Sequence, residues 1–377
     1  MDKKLRSPLT YQRLINQHIK ILQDLQYKSG LFAASDKSVG TGYDRSWLRD
    51  NFYECLAFQV LGDWNTVERT YDALMAIFLK HEEKIDYAIS HKPQARHEYI
   101  HARFNPETFD EFWEEWGNKQ NDSIGAILFN IAKLELHHKR TILESDDHYR
   151  IVNKLVQYLG TIEYWHDVDN GIWEFDEEVH ASSIGACVAG LKEISKVPNI
   201  DVPGFLIENG KIALNDLLPR ESQQHFVDLA QLSLIYPYDI VTAYQRKQIL
   251  ENVEYHLLKE RGVVRYKNDW YYNKNPDGFS EEAEWTFGLS WLAIIYTHLG
   301  NREKAEIFID KMIHATTAKG VPELYYSHTN KPNENNPLGW AESLFVVALH
   351  DMNDKFLKYK YNTLPNSNFT KQSPENN

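Results

Sequence analysis

The sequence predicts an all-α fold: a single-domain (α/α)6 toroid, six helical hairpins closed into a barrel. Three observations carry it. About twelve segments of the 377-residue chain show helical periodicity. These segments alternate between amphipathic and apolar on nearly every face, and no Ser/Gly- or Pro-rich linker divides them. A helix apolar all round must be buried, whereas an amphipathic one lies at a surface. Alternation therefore builds an inner ring from the even helices and an outer ring from the odd ones.

In chain order the predicted helices cover residues 10–26, 46–61, 65–81, 123–143, 149–165, 182–196, 202–218, 228–235, 241–259, 281–299, 301–317 and 338–357. The clearest amphipathic stripe follows the Gly300-Asn301 break. There Ala305, Phe308, Ile309, Met312 and Ile313 recur at i, i+3, i+4, i+7 and i+8. QRKQILENVEYHLLK, in the ninth helix, is charged and amphipathic in the same way. IGAILFNIAKLEL in the fourth, WTFGLSWLAIIYTHL in the tenth and ESLFVVALH in the twelfth are apolar almost throughout. The domain is read as residues 1–360. From 361 the chain turns polar, ends TKQSPENN and is expected to be disordered.

Apolar residues make up 42% and charged residues 25%, the proportions of a soluble globular protein. A net charge of −13 argues against nucleic acid and anionic membranes as partners, since both demand basic patches. MDKKLRSPLTYQRLINQ carries positive charge but lacks the apolar stretch of a signal peptide. No apolar run is long enough to span a bilayer, so a cytoplasmic location is expected. Cys55 and Cys187 fall inside apolar helical patterns and read as small core residues, not a disulfide or a metal site. Aromatic residues reach 13%, with 10 Trp and 22 Tyr. Such rings stack on the apolar face of a pyranose, and they also fill cores.

Five unusual stretches lie at odd-to-even junctions. YDRSWLRD precedes the second helix, WGNKQND the fourth, GIWEFDEE the sixth, RYKNDWYYN the tenth and GVPELYYSHTNKP the twelfth. In a hairpin toroid these junctions all open at one end, at the N-termini of the inner helices, so the five stretches meet at one mouth. GIWEF sets Trp173 beside Glu174. A structural role would have the ring plug the core and the carboxylate favour a helix N-terminus. A chemical role would make the ring a sugar platform and the carboxyl an acid. Arg49 and Asp50 offer a forked donor and an acceptor suited to vicinal hydroxyls, or else Arg49 bridges to another helix. Trp116 suits either stacking or core packing. The alternation around Arg265 and Asp269 equally describes a hairpin.

Taken in order, these motifs resemble the catalytic domain of glycoside hydrolase family 15, the glucoamylase family, over about residues 42–350. The resemblance implies that Arg49 and Asp50 of SWLRD, next to Trp47, grip the nonreducing-end glucose. It implies that WGNKQND supplies Trp116 for stacking and Gln120 and Asp122 for support, and that Arg265 and Asp269 contact the next sugar. It makes Glu174 the general acid and Glu323, in GVPEL, the general base. Glycoside cleavage needs such a pair: one carboxylic acid protonates the leaving oxygen and a second carboxylate acts on water or the sugar. Trp173 by desolvation, and Asp176, Glu177 and Glu178 by like charge, are expected to keep the acid protonated.

The function so implied is an inverting, exo-acting α-glucosidase that releases β-glucose from a short α-glucooligosaccharide, with no cofactor. A non-catalytic sugar-sensing domain of the phosphorylase-kinase type, or a trehalase of the same family, is the alternative. Linkage and oligomeric state stay open. One rival motif, HEYIH from His97 to His101, matches the zinc-protease pattern, which needs both histidines on one helical face. Pro93 lies just upstream and YIHARF alternates like a strand, so no metal is expected there. His137-His138 reads as a solvated helix end.

Overall fold

The computed structural model describes residues 7–114, 116–269, 271 and 282–362. Among these the chain forms twelve α-helices. They are α1 (Pro8–Leu25), α2 (Leu48–Leu61), α3 (Trp64–Lys80), α4 (Glu82–His91), α5 (Asn121–Lys133), α6 (Asp146–Ile162), α7 (Ala181–Ile194), α8 (Gly204–Leu217), α9 (Ala243–His256), α10 (Phe287–His298), α11 (Arg302–Ala315) and α12 (Gly339–Asn362). A short 3-10 helix spans Leu229–Leu234. Two small antiparallel pairs complete the set: β1 (Ser46–Trp47) with β2 (Arg103–Phe104), and β3 (Glu284–Trp285) with β4 (Leu324–Tyr325).

The inner ring runs α2, α5, α7, the 3-10 helix, α10, α12 and back to α2, each element packed on the next. Its helices are buried almost residue by residue, as their apolar sequences require. α5 and α7 pack so tightly that side chains are excluded between them. A Cβ on Gly125 would lie 2.4 Å from the Ala186 carbonyl carbon, and one on Gly190 would lie 2.3 Å from the Gly125 oxygen. The seam of the ring joins the two ends of the described chain. Gly339 N donates to Ala34 O at 2.8 Å, Ser343 Oγ to Tyr53 O at 2.6 Å, and His18 meets Glu342 at 2.5 Å. The molecule is thus an (α/α)6 toroid.

Helix starts differ between the rings. Ser7, Asp63, Ser145, Thr242 and Asn301 cap the outer helices α1, α3, α6, α9 and α11 with side-chain oxygens. The inner helices α2, α5, α7 and α10 have no side-chain cap. Their partly positive N-terminal ends face the mouth of the barrel.

The sequence expectations need several corrections. The predicted helix at 228–235 is only the 3-10 turn, because Pro237 follows closely and Asp228 caps it by accepting from Ala230 N at 2.7 Å. α4 was not expected; it buries only Ile85 and Ala88, too few to print a long stripe. The predicted helix 123–143 divides into α5 and a π-helical turn, Leu134–His138, and the one at 281–299 begins only at Phe287. α12 continues to Asn362, past the predicted boundary at 360; the expected polar tail from 363 onward lies outside the described residues. Cys55 and Cys187 are buried and unpaired. No helix among the described residues is long and apolar enough to cross a membrane.

Candidate active site

A cavity of about 400 Å3 opens among the junctions that enter the inner helices. Trp47, Trp116, Trp173, Trp285 and Trp340 form much of its wall, with Tyr43, Tyr271 and Phe287 between them. Its charged lining is Arg49, Asp50, Arg96, Glu174, Arg265 and Glu323. Segments far apart in sequence thus deliver three carboxyl groups, the guanidinium groups of Arg49, Arg96 and Arg265, and a ring of indoles to one hollow.

Glu174 sits in a turn well before α7, so it is not a helix-start carboxylate. Its φ of 62° lies in the left-handed region, where a glutamate is held only by its surroundings. Those surroundings are specific. Oε1 accepts from Arg49 Nη2 at 3.2 Å and from Gln120 Nε2 at 3.1 Å. Oε2 accepts from Trp116 Nε1 at 3.1 Å. Gly117 lets the chains touch: a Cβ there would lie 2.4 Å from the Glu174 carbonyl oxygen. Arg49 is itself fixed, because Nη1 reaches Gln120 Oε1 at 2.8 Å and Asp122 Oδ2 at 3.3 Å. Burial works to lower its pKa, but Asp122, Glu174 and Asp50 together raise it above the ordinary arginine value.

The expected crowd of like charge around Glu174 is dispersed. Glu177 pairs with Arg96 at 2.6 Å and Lys119 at 3.4 Å, while Glu178 accepts from Gln224 N at 3.3 Å. Glu177 is thus neutralised by partners distant in sequence, and Asp176 is exposed. Trp173 is neither a core plug nor an exposed ring. Its Nε1 donates to Asp228 Oδ1 at 2.8 Å, and its face lies 5.8 Å from Trp285 and 6.4 Å from Trp340, centroid to centroid.

Glu323 is 2% exposed, which ends the reading of it as a surface charge. It directly precedes β4. Its N–H donates to Asn335 O at 2.9 Å, and its carbonyl accepts from Thr286 N at 3.1 Å. Oε1 accepts from Tyr43 Oη at 3.0 Å. Oε2 accepts from Asn333 Nδ2 at 2.5 Å and Asn335 Nδ2 at 2.8 Å. Burial raises its pKa, and these donors hold the rise in check. Asp50, also buried, is pushed up to about 7 by desolvation against the pull of Arg49; the charges of Glu174 and Glu323 add to the rise.

Arg265 is clamped by Asp269 through two hydrogen bonds of 2.7 Å. Rings surround it, with Tyr271 and Trp285 each 4.7 Å from the guanidinium carbon. Asp269 was expected to contact a sugar; instead it lies behind Arg265, 1% exposed and away from the cavity lining. Gln120 and Asp122 likewise stand behind Arg49 and Glu174. Trp47 packs on Tyr43 at 5.5 Å and beneath Arg103 at 5.4 Å. Sequence reasoning missed Tyr43, Asn333, Asn335, Trp285 and Trp340. The asparagine-rich KPNENNP after Glu323 was the available signal for two of them.

The zinc-protease pattern fails on geometry. Arg96–Glu98 is a 3-10 turn that ends in extended chain, so His97 and His101 share no helical face. His101 is buried, which lowers its pKa to about 3, and its Nδ1 accepts from Arg103 N at 3.0 Å. Among the described residues no group of His, Cys, Asp and Glu is arranged to hold a metal ion. His137 and His138 are both exposed, as expected of a solvated helix end, and His138 also meets the Trp64 ring at 4.8 Å.

A paired acid and carboxylate in an aromatic hollow is the equipment of a glycoside-cleaving enzyme, and comparison with known proteins agrees. The model of the glycosyl hydrolases family 15 matches residues 9–348. The chain belongs to that family. It is 23% identical over 366 residues to an uncharacterized glycosyl hydrolase of Methanocaldococcus jannaschii. That match covers 88% of this chain and 54% of the relative, so the chain spans about half the relative's length. Among solved structures, a glycosidase variant in complex with glucose is similar with a TM-score of 0.79 and 16% identity, over 93% of this chain and 99% of that one. The glucoamylase of Saccharomycopsis fibuligera gives 0.64 and 15%, over 93% and 96%. A bacterial glucoamylase complexed with acarbose gives 0.67 and 15%, over 90% and 55%. At these identities the structural likeness speaks for the fold.

Proposed function

We propose that the protein is an inverting, exo-acting α-glucosidase that removes the nonreducing-end glucose of a short α-glucooligosaccharide and releases it as β-glucose. The observation that carries this reading is the unlike setting of two carboxyl groups in one cavity. Glu174 is held by Arg49, Gln120 and Trp116 at the cavity wall. Glu323 is buried under Tyr43, Asn333 and Asn335. The donors on Glu323 oppose the rise that burial gives its pKa, which keeps the ionised form within reach of a base that takes a proton from water.

In this mechanism Glu174 protonates the oxygen of the departing sugar as the bond to the anomeric carbon lengthens. Glu323 accepts a proton from the water that attacks the opposite face of that carbon. Arg49 and Asp50 receive the hydroxyls of the terminal glucose, Arg265 held square by Asp269 receives those of the next sugar, and the indoles bound the apolar faces. A cavity of about 400 Å3 is at the small end of the range for ligand sites, which fits a terminal sugar better than the middle of a chain. Steps that need only carboxyl groups and water require no cofactor.

The test is proton NMR of the anomeric region during the first minutes of digestion of maltose and isomaltose. Initial β-glucose is expected, decaying to the equilibrium mixture by mutarotation. Initial α-glucose would refute inversion and with it the base role of Glu323.

A further inference from the structure

The loop that carries Glu323 is anchored by two residues for which the mechanism above has no use. His18 lies on α1 and Glu342 in the first turn of α12. Both side chains are wholly buried, and Nδ1 of the histidine meets Oε2 of the glutamate at 2.5 Å. The other carboxyl oxygen of Glu342 turns to the loop, where Oε1 accepts from Val321 N at 2.6 Å. Val321 O in turn accepts from Leu338 N at 2.9 Å. The contact is close enough to exclude a side chain. A Cβ on Gly320 would lie 2.1 Å from Glu342 Oε1, and the φ of 134° there is one that residues with a Cβ rarely adopt.

A buried pair of this kind is a poor way to stabilise a fold. Desolvation of both partners offsets much of their attraction, and apolar groups of similar volume often serve as well or better. Burial raises the pKa of Glu342 against the pull of His18 and of the Val321 N–H. His18 Nε2 meets no hydrogen-bond partner among the described residues. What the pair supplies, and apolar side chains cannot, is a directed acceptor for one backbone N–H. That N–H stands two residues before Glu323, whose own backbone is tied to Asn335 and Thr286.

We propose that His18 and Glu342 are positioning residues for Glu323: the imidazole fixes the carboxylate, the carboxylate fixes Val321, and the loop sets the base against its water. The inference rests on the base role proposed above for Glu323 and extends it to two residues outside the cavity lining. Arg49, Asp50 and the indoles hold the sugar, so a shifted loop should weaken turnover more than binding. A misplacement of about 1 Å lowers a rate by as much as about 10²-fold.

The experiment measures kcat and KM on maltose or isomaltose, whichever the wild type cleaves faster, in His18→Leu/Glu342→Met, Glu342→Gln and Glu323→Gln. The double variant replaces the pair by apolar groups, so its Tm should stay near the wild-type value or rise. Its kcat should nevertheless fall about tenfold or more, with KM within about twofold of wild type. Glu342→Gln keeps an oxygen for Val321 N and should recover most of that kcat. A folded double variant with wild-type kcat, or with a loss confined to KM, would overturn the proposal. Should the double variant not fold, Gly320→Ala, whose methyl group pushes on the same carboxylate, is judged by the same two constants. Glu323→Gln separates the two claims. Wild-type turnover in that variant would sink the base reading and the positioning role with it. Turnover lost in Glu323→Gln but kept in the double variant would sink the positioning role alone. If the wild type cleaves neither sugar, hydrogen exchange across residues 319–326 decides: faster exchange in the double variant supports the anchoring, and equal exchange overturns it.

Discussion

Tyr43→Phe deletes one hydroxyl and keeps the ring against Trp47. The lost group is the donor to Glu323 Oε1, at 3.0 Å. A hydrogen bond to a charged group contributes about 1.5–3 kcal/mol, and Tyr43 is only half-buried, so water replaces part of it. The lower end, about 1.5 kcal/mol, corresponds to roughly one pKa unit. The sign follows from which form the bond favours. The hydroxyl donates to the ionised carboxylate, so its removal raises a pKa that burial already lifts. The base must be ionised to act. The acid limb of the kcat/KM profile should therefore move about one unit toward higher pH, with near-normal rates on the alkaline side. The assay is initial-rate glucose release across the pH range for both proteins, with circular dichroism as the check on folding. An acid limb that coincides with the wild type, or shifts downward, would show that Glu323 does not carry the base function through this contact.

Glu174→Gln and Glu323→Gln should each lower kcat by roughly 10²–10⁴ with an unchanged circular dichroism spectrum; near-normal turnover in either removes that residue from the mechanism. Asp269→Asn leaves Arg265 buried without its counter-charge, a loss of about 3–5 kcal/mol. Calorimetry should show a clearly lower Tm, and an unchanged Tm would mean that the aromatic cage alone supports the cation. His180 is pushed up to about 9: burial opposes the rise, but Glu221 and Asp169 drive it. Its folded pKa is above the usual 6.5, so its stabilisation is complete below that value and fades as pH rises through 9. The gap in urea midpoint between wild type and His180→Gln should shrink from pH 6 to pH 10, and a constant gap contradicts the charge assignment.

Much of the barrel was legible because burial writes itself into periodicity. The stripe from Ala305 to Ile313 became α11, and the all-apolar WTFGLSWLAIIYTHL became the buried α10. α4 escaped because two buried residues make no stripe, and the 228–235 segment misled because apolar content does not distinguish an α-helix from a 3-10 turn. At the site, topology brought the five stretches to one mouth and the family resemblance singled out Arg49, Trp116, Glu174, Arg265 and Glu323 within them, and all five line one cavity. The partners that tune them were not visible. Arg96 and Lys119 neutralise Glu177 across the fold, and Tyr43 reaches Glu323 from 280 positions away. Which polar side chain turns inward at a loop is decided by tertiary packing, and no local pattern records it. Asp269 shows the same limit: a short motif names the residue but not whether it faces a ligand or a neighbour.

The seam between α12 and α2 also orders events in the life of the chain. α2 is made early, and the helix that covers it is the last of the described elements to be made. Until α12 arrives, the flank of α2 that it will cover has no partner, and exposed apolar surface of that kind invites association with other chains. The catalytic hollow is open on the same side until then, since Trp340 belongs to α12. A nascent or truncated chain that stops before Gly339 therefore holds both glutamates yet has no closed cavity around them. The two glutamates share a walled hollow only once α12 has been made.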